Sequence, residues 1–96
     1  MNAPAYSVVT TSHFDRLMKK LASRHSELAE RFEATIAILS ADPYNKSGQH
    51  AIKKLMGVAA GEGQYRLRSG RFRFRYDVEK PEAVLHYCGL RREDTY

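Results

Sequence analysis

The chain is predicted to be an α+β domain, a small antiparallel sheet with an N-terminal helical hairpin packed on one face, in the order β-α-α-β-β-β. Three observations predict it. Residues 64–76, QYRLRSGRFRFRY, alternate polar and apolar with a period of two, as strands with one packed face do. Two earlier stretches place apolar residues at helical spacing: Phe14, Leu17, Met18 and Leu21, then Leu28, Phe32, Ile36 and Leu39. Short β-prone runs at 6–10 and 83–90 bracket the whole.

Each element follows in turn. Residues 6–10 (YSVVT) form the first strand. Thr11 or Ser12 caps a helix with Asp15 in its first turn, where a negative charge suits the helix dipole, and the helix runs to about Ala22. Ser26 caps the second helix, which Asp42-Pro43 stops. The short connection at 23–25 makes the two helices an antiparallel pair. Residues 42–50 (DPYNKSGQH) are a loop rich in turn formers, followed by Ile52-Lys53-Lys54-Leu55 and a small-residue stretch to Gly63. Gly61 and Gly63 lack a following helix, so they are no phosphate-loop fingerprint. The hairpin comes next, then a turn at 79–82 and the last strand at 83–90.

The hairpin is the most informative stretch. It holds five arginines (Arg66, Arg68, Arg71, Arg73, Arg75) and no acid. With Ser69-Gly70 as its loop, Arg68 faces Arg71, Leu67 faces Phe72, Arg66 faces Arg73 and Tyr65 faces Phe74. The apolar pairs build a core face. The arginine pairs set like charges opposite one another, which costs stability in a sheet. Two readings of that face stand side by side. It is a solvated polar face, or it is completed by a polyanion whose phosphates match the guanidinium fork.

Charge is concentrated there too. Residues 46–76 carry eight basic residues against one acid, residues 1–45 are neutral, and residues 77–96 are net acidic. A localised basic patch points to nucleic acid more than diffuse basicity does. Ninety-six residues suit one domain, 1–96, with a single core. The single cysteine, Cys88, excludes an internal disulfide or a multi-cysteine zinc site, and its apolar surroundings suit a buried small residue. No apolar run is long enough to span a membrane and residues 1–20 lack a signal-peptide core, so the cytoplasm is the expected compartment.

The element order, IKKLMG followed by YRLRSGRFRFRYDV, and the closing LHYCGLRREDTY together resemble the RelE/ParE toxin superfamily over nearly the whole chain. The resemblance implies a RelE-like domain acting as the toxin of a type II toxin-antitoxin system, bound and neutralised by a cognate antitoxin. The RelE branch implies a metal-independent, ribosome-dependent mRNA endoribonuclease that inhibits translation, with ribosome and mRNA as partners and no cofactor. The ParE branch implies a DNA gyrase target without nuclease chemistry. Carried over by position, Arg73 matches the arginine that contacts the scissile phosphate, Arg91 the arginine after the last strand, and Tyr96 the closing catalytic tyrosine. Arg66 and Arg68 match basic contacts on the first hairpin strand. The chain departs from the pattern in having arginines rather than lysines there, and in a shorter interval between Arg91 and Tyr96.

The chemistry can also be argued from the residue types. Metal-free RNA cleavage requires removal of the 2′-OH proton, stabilisation of a phosphorane, and protonation of the leaving 5′-oxygen. Arginine is a poor base because its pKa exceeds about 12, but it stabilises charge well. Tyrosine among arginines gains phenolate character, since nearby positive charge favours the anion. Tyr96 is therefore the candidate base, against the alternative of a frayed terminus, and Arg73 the clamp. Arg66, Arg68, Arg71, Lys53 and Lys54 are the candidate RNA-binding residues. His86 has the right reference pKa for acid–base work, although a histidine between apolar strand neighbours is more often a core residue. Glu93, two residues after Arg91, could orient it or act as a base. His13, His25 and His50 lack metal-ligand spacing, so no metal is expected. Three function classes remain: a ribosome-dependent nuclease, a gyrase-directed toxin, and a noncatalytic basic RNA-binding module.

Overall fold

The computed structural model describes residues 5–91. The observed elements are β1 (Ser7–Thr10), α1 (Ser12–Ala22), α2 (Leu28–Ala41), β2 (Ile52–Lys54), β3 (Tyr65–Ser69), β4 (Phe72–Glu79) and β5 (Glu82–Leu90). The expected order holds, with one addition: the three-residue strand β2, too short to show a period, pairs with β3 ahead of the hairpin. The sheet has five strands in the order β1-β5-β4-β3-β2. All neighbours are antiparallel except β1, which lies parallel to β5. A parallel neighbour needs a long crossover, and α1, α2 and the hairpin supply it.

Thr11 caps α1 as expected, its Oγ1 accepting from the Phe14 amide at 3.0 Å. Ser26 does not cap α2. The helix starts at Leu28 after Glu27, and the Leu28 amide donates to the His25 carbonyl at 3.1 Å, taking the donor that a Ser26 cap would have served. The stripe of α2 is also corrected by one position. Leu28, Thr35 and Leu39 are buried with Phe32 half-buried beside them, and Ile38 rather than Ile36 packs on the core. Thr35 is tolerated inside because its hydroxyl donates to the Arg31 carbonyl at 2.9 Å.

Both helices meet the same sheet face. Phe14 of α1, Phe32 of α2 and Phe74 of β4 have ring centroids 5.7–6.4 Å apart, so one aromatic cluster joins three elements. Leu67, Phe72, Tyr76, Ala83, Leu85 and Cys88 complete the buried core. Burial pushes the Cys88 thiol up to about 12, in keeping with the inert interior residue its sequence context suggested. Tyr76 donates from its hydroxyl to the Pro43 carbonyl at 2.6 Å, anchoring the loop after α2 to β4.

The hairpin register differs from expectation. Ser69 pairs with Phe72, Arg68 with Arg73, Leu67 with Phe74, Arg66 with Arg75 and Tyr65 with Tyr76, which leaves Gly70-Arg71 as the loop. Gly70 has φ +62°, and a positive φ at the first loop position is the type II′ pattern. Glycine was expected at the second position, and it occupies the first. The pairing shifts by two residues, so every side chain keeps the face that alternation assigned to it. Arginines still oppose arginines, with different partners.

Candidate nucleic-acid interface

Register alone builds two rows across the sheet face opposite the helices. Lys53, Arg66, Arg75 and Tyr87 form one row on β2, β3, β4 and β5, and Arg68, Arg73 and Gly89 form the other. Lys53 and Arg68 are exposed, while Arg66, Arg73, Arg75 and Tyr87 are half-buried. Each row thus brings guanidinium groups together on adjacent strands, where opposed positions are about 5 Å apart at Cβ. The sheet, and not local sequence, gathers these charges.

The arginines do different work. Arg75 donates from Nε to the Gly63 carbonyl at 3.1 Å and so holds the segment entering β3. A Cβ at Gly63 would lie 2.9 Å from the Cβ of Arg75, which leaves room only for glycine, and its φ of +85° favours glycine as well. Arg71 sits on the hairpin loop, outside the ladder, with Nη1 3.5 Å from Glu27 Oε2 across an exposed pair. Arg91 closes over the same tip. Its amide donates to the Arg71 carbonyl at 2.9 Å and its Nη1 to the Gly70 carbonyl at 3.3 Å. Arg31 of α2 packs there too, since a Cβ on Gly70 would meet its guanidinium at 2.8 Å.

Next to the arginine rows lies a buried acid that sequence reading passed over. Asp77 accepts from the amides of Gly61 at 2.9 Å, Gly63 at 3.0 Å and Gln64 at 3.0 Å. His86 Nε2 approaches Asp77 Oδ2 at 2.9 Å but without hydrogen-bond alignment. The glycine-rich stretch therefore does cradle an anion, and the anion is the protein's own carboxylate. Its signal was faint: two glycines, and a carboxylate more than a dozen residues downstream.

Of the residues chosen from sequence, Arg66, Arg68, Arg73 and Lys53 come together on one face, and Arg71 and Arg91 lie at its hairpin end. Lys54 is placed elsewhere. It pairs with Tyr65 on the helix-facing side, its Nζ 5.8 Å from that ring's centroid. His86 is engaged with Asp77. Tyr96 and Glu93 lie outside the described residues. Among the core-facing phenols, burial raises the pKa of Tyr65 and, more strongly, of Tyr76, so both favour the neutral form.

No family model matches the chain, and neither does any curated protein. A solved structure does: a chain of the archaeal RelE-RelB complex from Pyrococcus horikoshii OT3 is similar to it, at 22% identity and TM-score 0.68, over 91% of this chain and 96% of that chain. The protein thus has the RelE-like α+β fold. The neighbour is a partner in a two-protein complex.

Proposed function

We propose that the protein is the toxin of a type II toxin-antitoxin pair and cleaves mRNA on the ribosome. The observation that carries the reading is the pair of cross-strand cation rows on the face turned away from the helices. Like charges gathered on adjacent strands favour an anionic ligand across them. The RelE-like fold and the resemblance of YRLRSGRFRFRY support the same class.

In this reading Arg73 grips the scissile phosphate, and Arg66, Arg68 and Lys53 track the neighbouring backbone. Arg91, tied to the hairpin tip, adds charge at the hairpin end of the face. Tyr96 takes the proton from the 2′-OH. The 2′-oxygen then bonds to phosphorus and the bond to the 5′-oxygen breaks. The products are a 2′,3′-cyclic phosphate and a 5′-hydroxyl, the latter protonated from solvent. The arginines stabilise the added negative charge of the phosphorane, usually the largest catalytic term. An antitoxin with an acidic segment would cover the same rows and silence the protein.

The test is induction of the chain without a partner while translation, mRNA ends and DNA integrity are followed together. Internal mRNA cuts that require ribosomes are the expected result. Double-strand DNA breaks with intact mRNA would replace the nuclease by a gyrase-directed toxin, and unimpaired growth would reduce the protein to a binding module.

A further inference from the structure

We infer that Tyr44 and Tyr65, with Lys46 and Lys54 beside them, form a second nucleic-acid contact, a platform on which a base of single-stranded RNA stacks. The inference deepens the proposed function and rests on its RNA ligand, but not on cleavage. The platform lies on the helix-facing side of the sheet, away from the arginine rows. Four tyrosines meet there in series. Tyr6 and Tyr44 have ring centroids 6.4 Å apart, Tyr44 and Tyr65 5.9 Å, and Tyr65 and Tyr76 5.5 Å. Exposure rises along the inner three, from buried Tyr76 through half-buried Tyr65 to Tyr44 at 41%. The loop that carries Tyr44 is braced on both sides of it. Asp42 accepts from the Lys46 and Ser47 amides at 2.8 and 3.2 Å and from the Ser47 hydroxyl at 2.7 Å. The Asn45 side chain bonds both backbone groups of His50, at 3.0 and 3.1 Å. Pro43 is buried, and its carbonyl is the acceptor for Tyr76. A ring presented to solvent from a braced loop loses little freedom when a flat partner covers it.

Two lysines flank the rings. Lys46 Nζ lies 5.9 Å from the Tyr44 centroid and Lys54 Nζ 5.8 Å from the Tyr65 centroid, near the outer limit of about 6 Å for a cation–π contact. An ammonium held so loosely keeps its donors, and among the described residues neither lysine forms an ion pair. The complement of an exposed aromatic ring between two such cations is a flat ring that carries an anion. A nucleotide supplies both, whereas an acidic peptide supplies only the charge. Tyrosine stacks on any base and lysine takes the backbone, so the contact is indifferent to sequence. The sheet also connects this platform with the arginine rows. β2 is the outermost strand, and Lys53 and Lys54 point to its opposite faces. One RNA strand passing over that edge meets the arginines on one side and the tyrosines on the other. Lys54, which lies off the arginine face, then serves the same ligand.

The experiment measures binding to the whole protein of a 2′-O-methyl oligoribonucleotide, which cannot be cleaved, and of an abasic oligonucleotide of the same length. Tyr44→Ala is expected to weaken binding of the first by at least about fivefold, the lower end for losing one base–aromatic stack, and to leave the second unchanged. Tyr44→Phe keeps the ring and is expected to bind as the parent does. The chain has no tryptophan, so Tyr44→Trp introduces a single reporter. Its fluorescence is expected to be quenched by the base-bearing oligonucleotide and not by the abasic one. Lys46→Gln should make the slope of log affinity against log salt shallower by about 0.7. Parental affinity in Tyr44→Ala, or an equal loss toward both oligonucleotides, overturns the inference and leaves the arginine interface standing. Quenching of Tyr44→Trp by a Glu-rich peptide and not by RNA overturns it in favour of a protein partner. A parent protein that binds neither oligonucleotide overturns both the inference and the proposed function. A loss confined to the base-bearing oligonucleotide, with no ribosome-dependent cutting by the parent, upholds the inference and sinks the nuclease reading.

Discussion

β4 presents two faces, and they are held by opposite means. Phe72, Phe74 and Tyr76 are buried against the helices, where each apolar side chain contributes about 1.5–3 kcal/mol by leaving water. Arg73 and Arg75, between them in sequence, face arginines on β3, a pairing that by itself disfavours the sheet. The strand stands because the first face outweighs the second. Asp77 marks the boundary: it lies on the arginine side, is buried, and is fully engaged by backbone amides. One face is thus spent on folding and the other gathers the cations, with Asp77 anchoring the segment before β3.

The comparison is broken most directly from the buried side. Phe74→Ala removes the ring that joins both helices to the sheet, and a loss of about 3–5 kcal/mol is expected, enough to leave so small a domain largely unfolded. Chemical denaturation reads it. A loss below about 1 kcal/mol would mean that the aromatic cluster is not what carries the sheet.

Asp77→Asn tests whether the boundary belongs with the core. Asp77 Oδ2 accepts from Gly61 and Gly63, and Oδ1 from Gln64. An amide must turn its NH₂ toward at least one of those donors, so about 3 kcal/mol should be lost, with the segment before β3 loosened first. Hydrogen exchange at Gly61, Gly63 and Gln64 is the specific readout. Unchanged protection there would return Asp77 to the polar face as a bystander.

Arg73→Ala probes the opposite side. Stability is expected to hold or rise slightly, because the substitution relieves repulsion with Arg68, while cleavage falls about 100-fold with the loss of one preorganised charge stabiliser. Full activity in the variant would move the clamp elsewhere, and an unfolded variant would make the arginine face structural.

The two faces also differ in how much of them was legible in the sequence. Alternation assigned Leu67, Phe72, Phe74 and Tyr76 to the core and the arginines away from it, and that survived a change of register because the change was by two residues. The register itself was not legible, since it turns on whether Gly70 is the first or second loop residue, and both are good hairpin chemistry. β2 was not legible because three residues carry no period. The Asp77 cradle depends on segments brought together by folding, so no local pattern announces it. Arg91 was placed by resemblance, and its tie to Gly70 came only with the structure.

The smallest effect sharpens the comparison most. Arg68 is exposed, opposes Arg73, and lies in the row that ends at Gly89. Arg68→Thr replaces a like-charge pair by a β-branched residue suited to a strand, and should raise stability by about 0.2–1 kcal/mol. The gain should shrink as salt is added, because exposed charges are screened over about 10 Å at 0.1 M. RNA affinity should fall in the same variant, and its salt dependence should become shallower by about one phosphate contact. Stability and binding would then move in opposite directions at one position. If Arg68→Thr is less stable than the parent at low salt, the arginine pairs are not frustrated. The face would then be an ordinary solvated one, and the case for a polyanion would have to rest on binding alone.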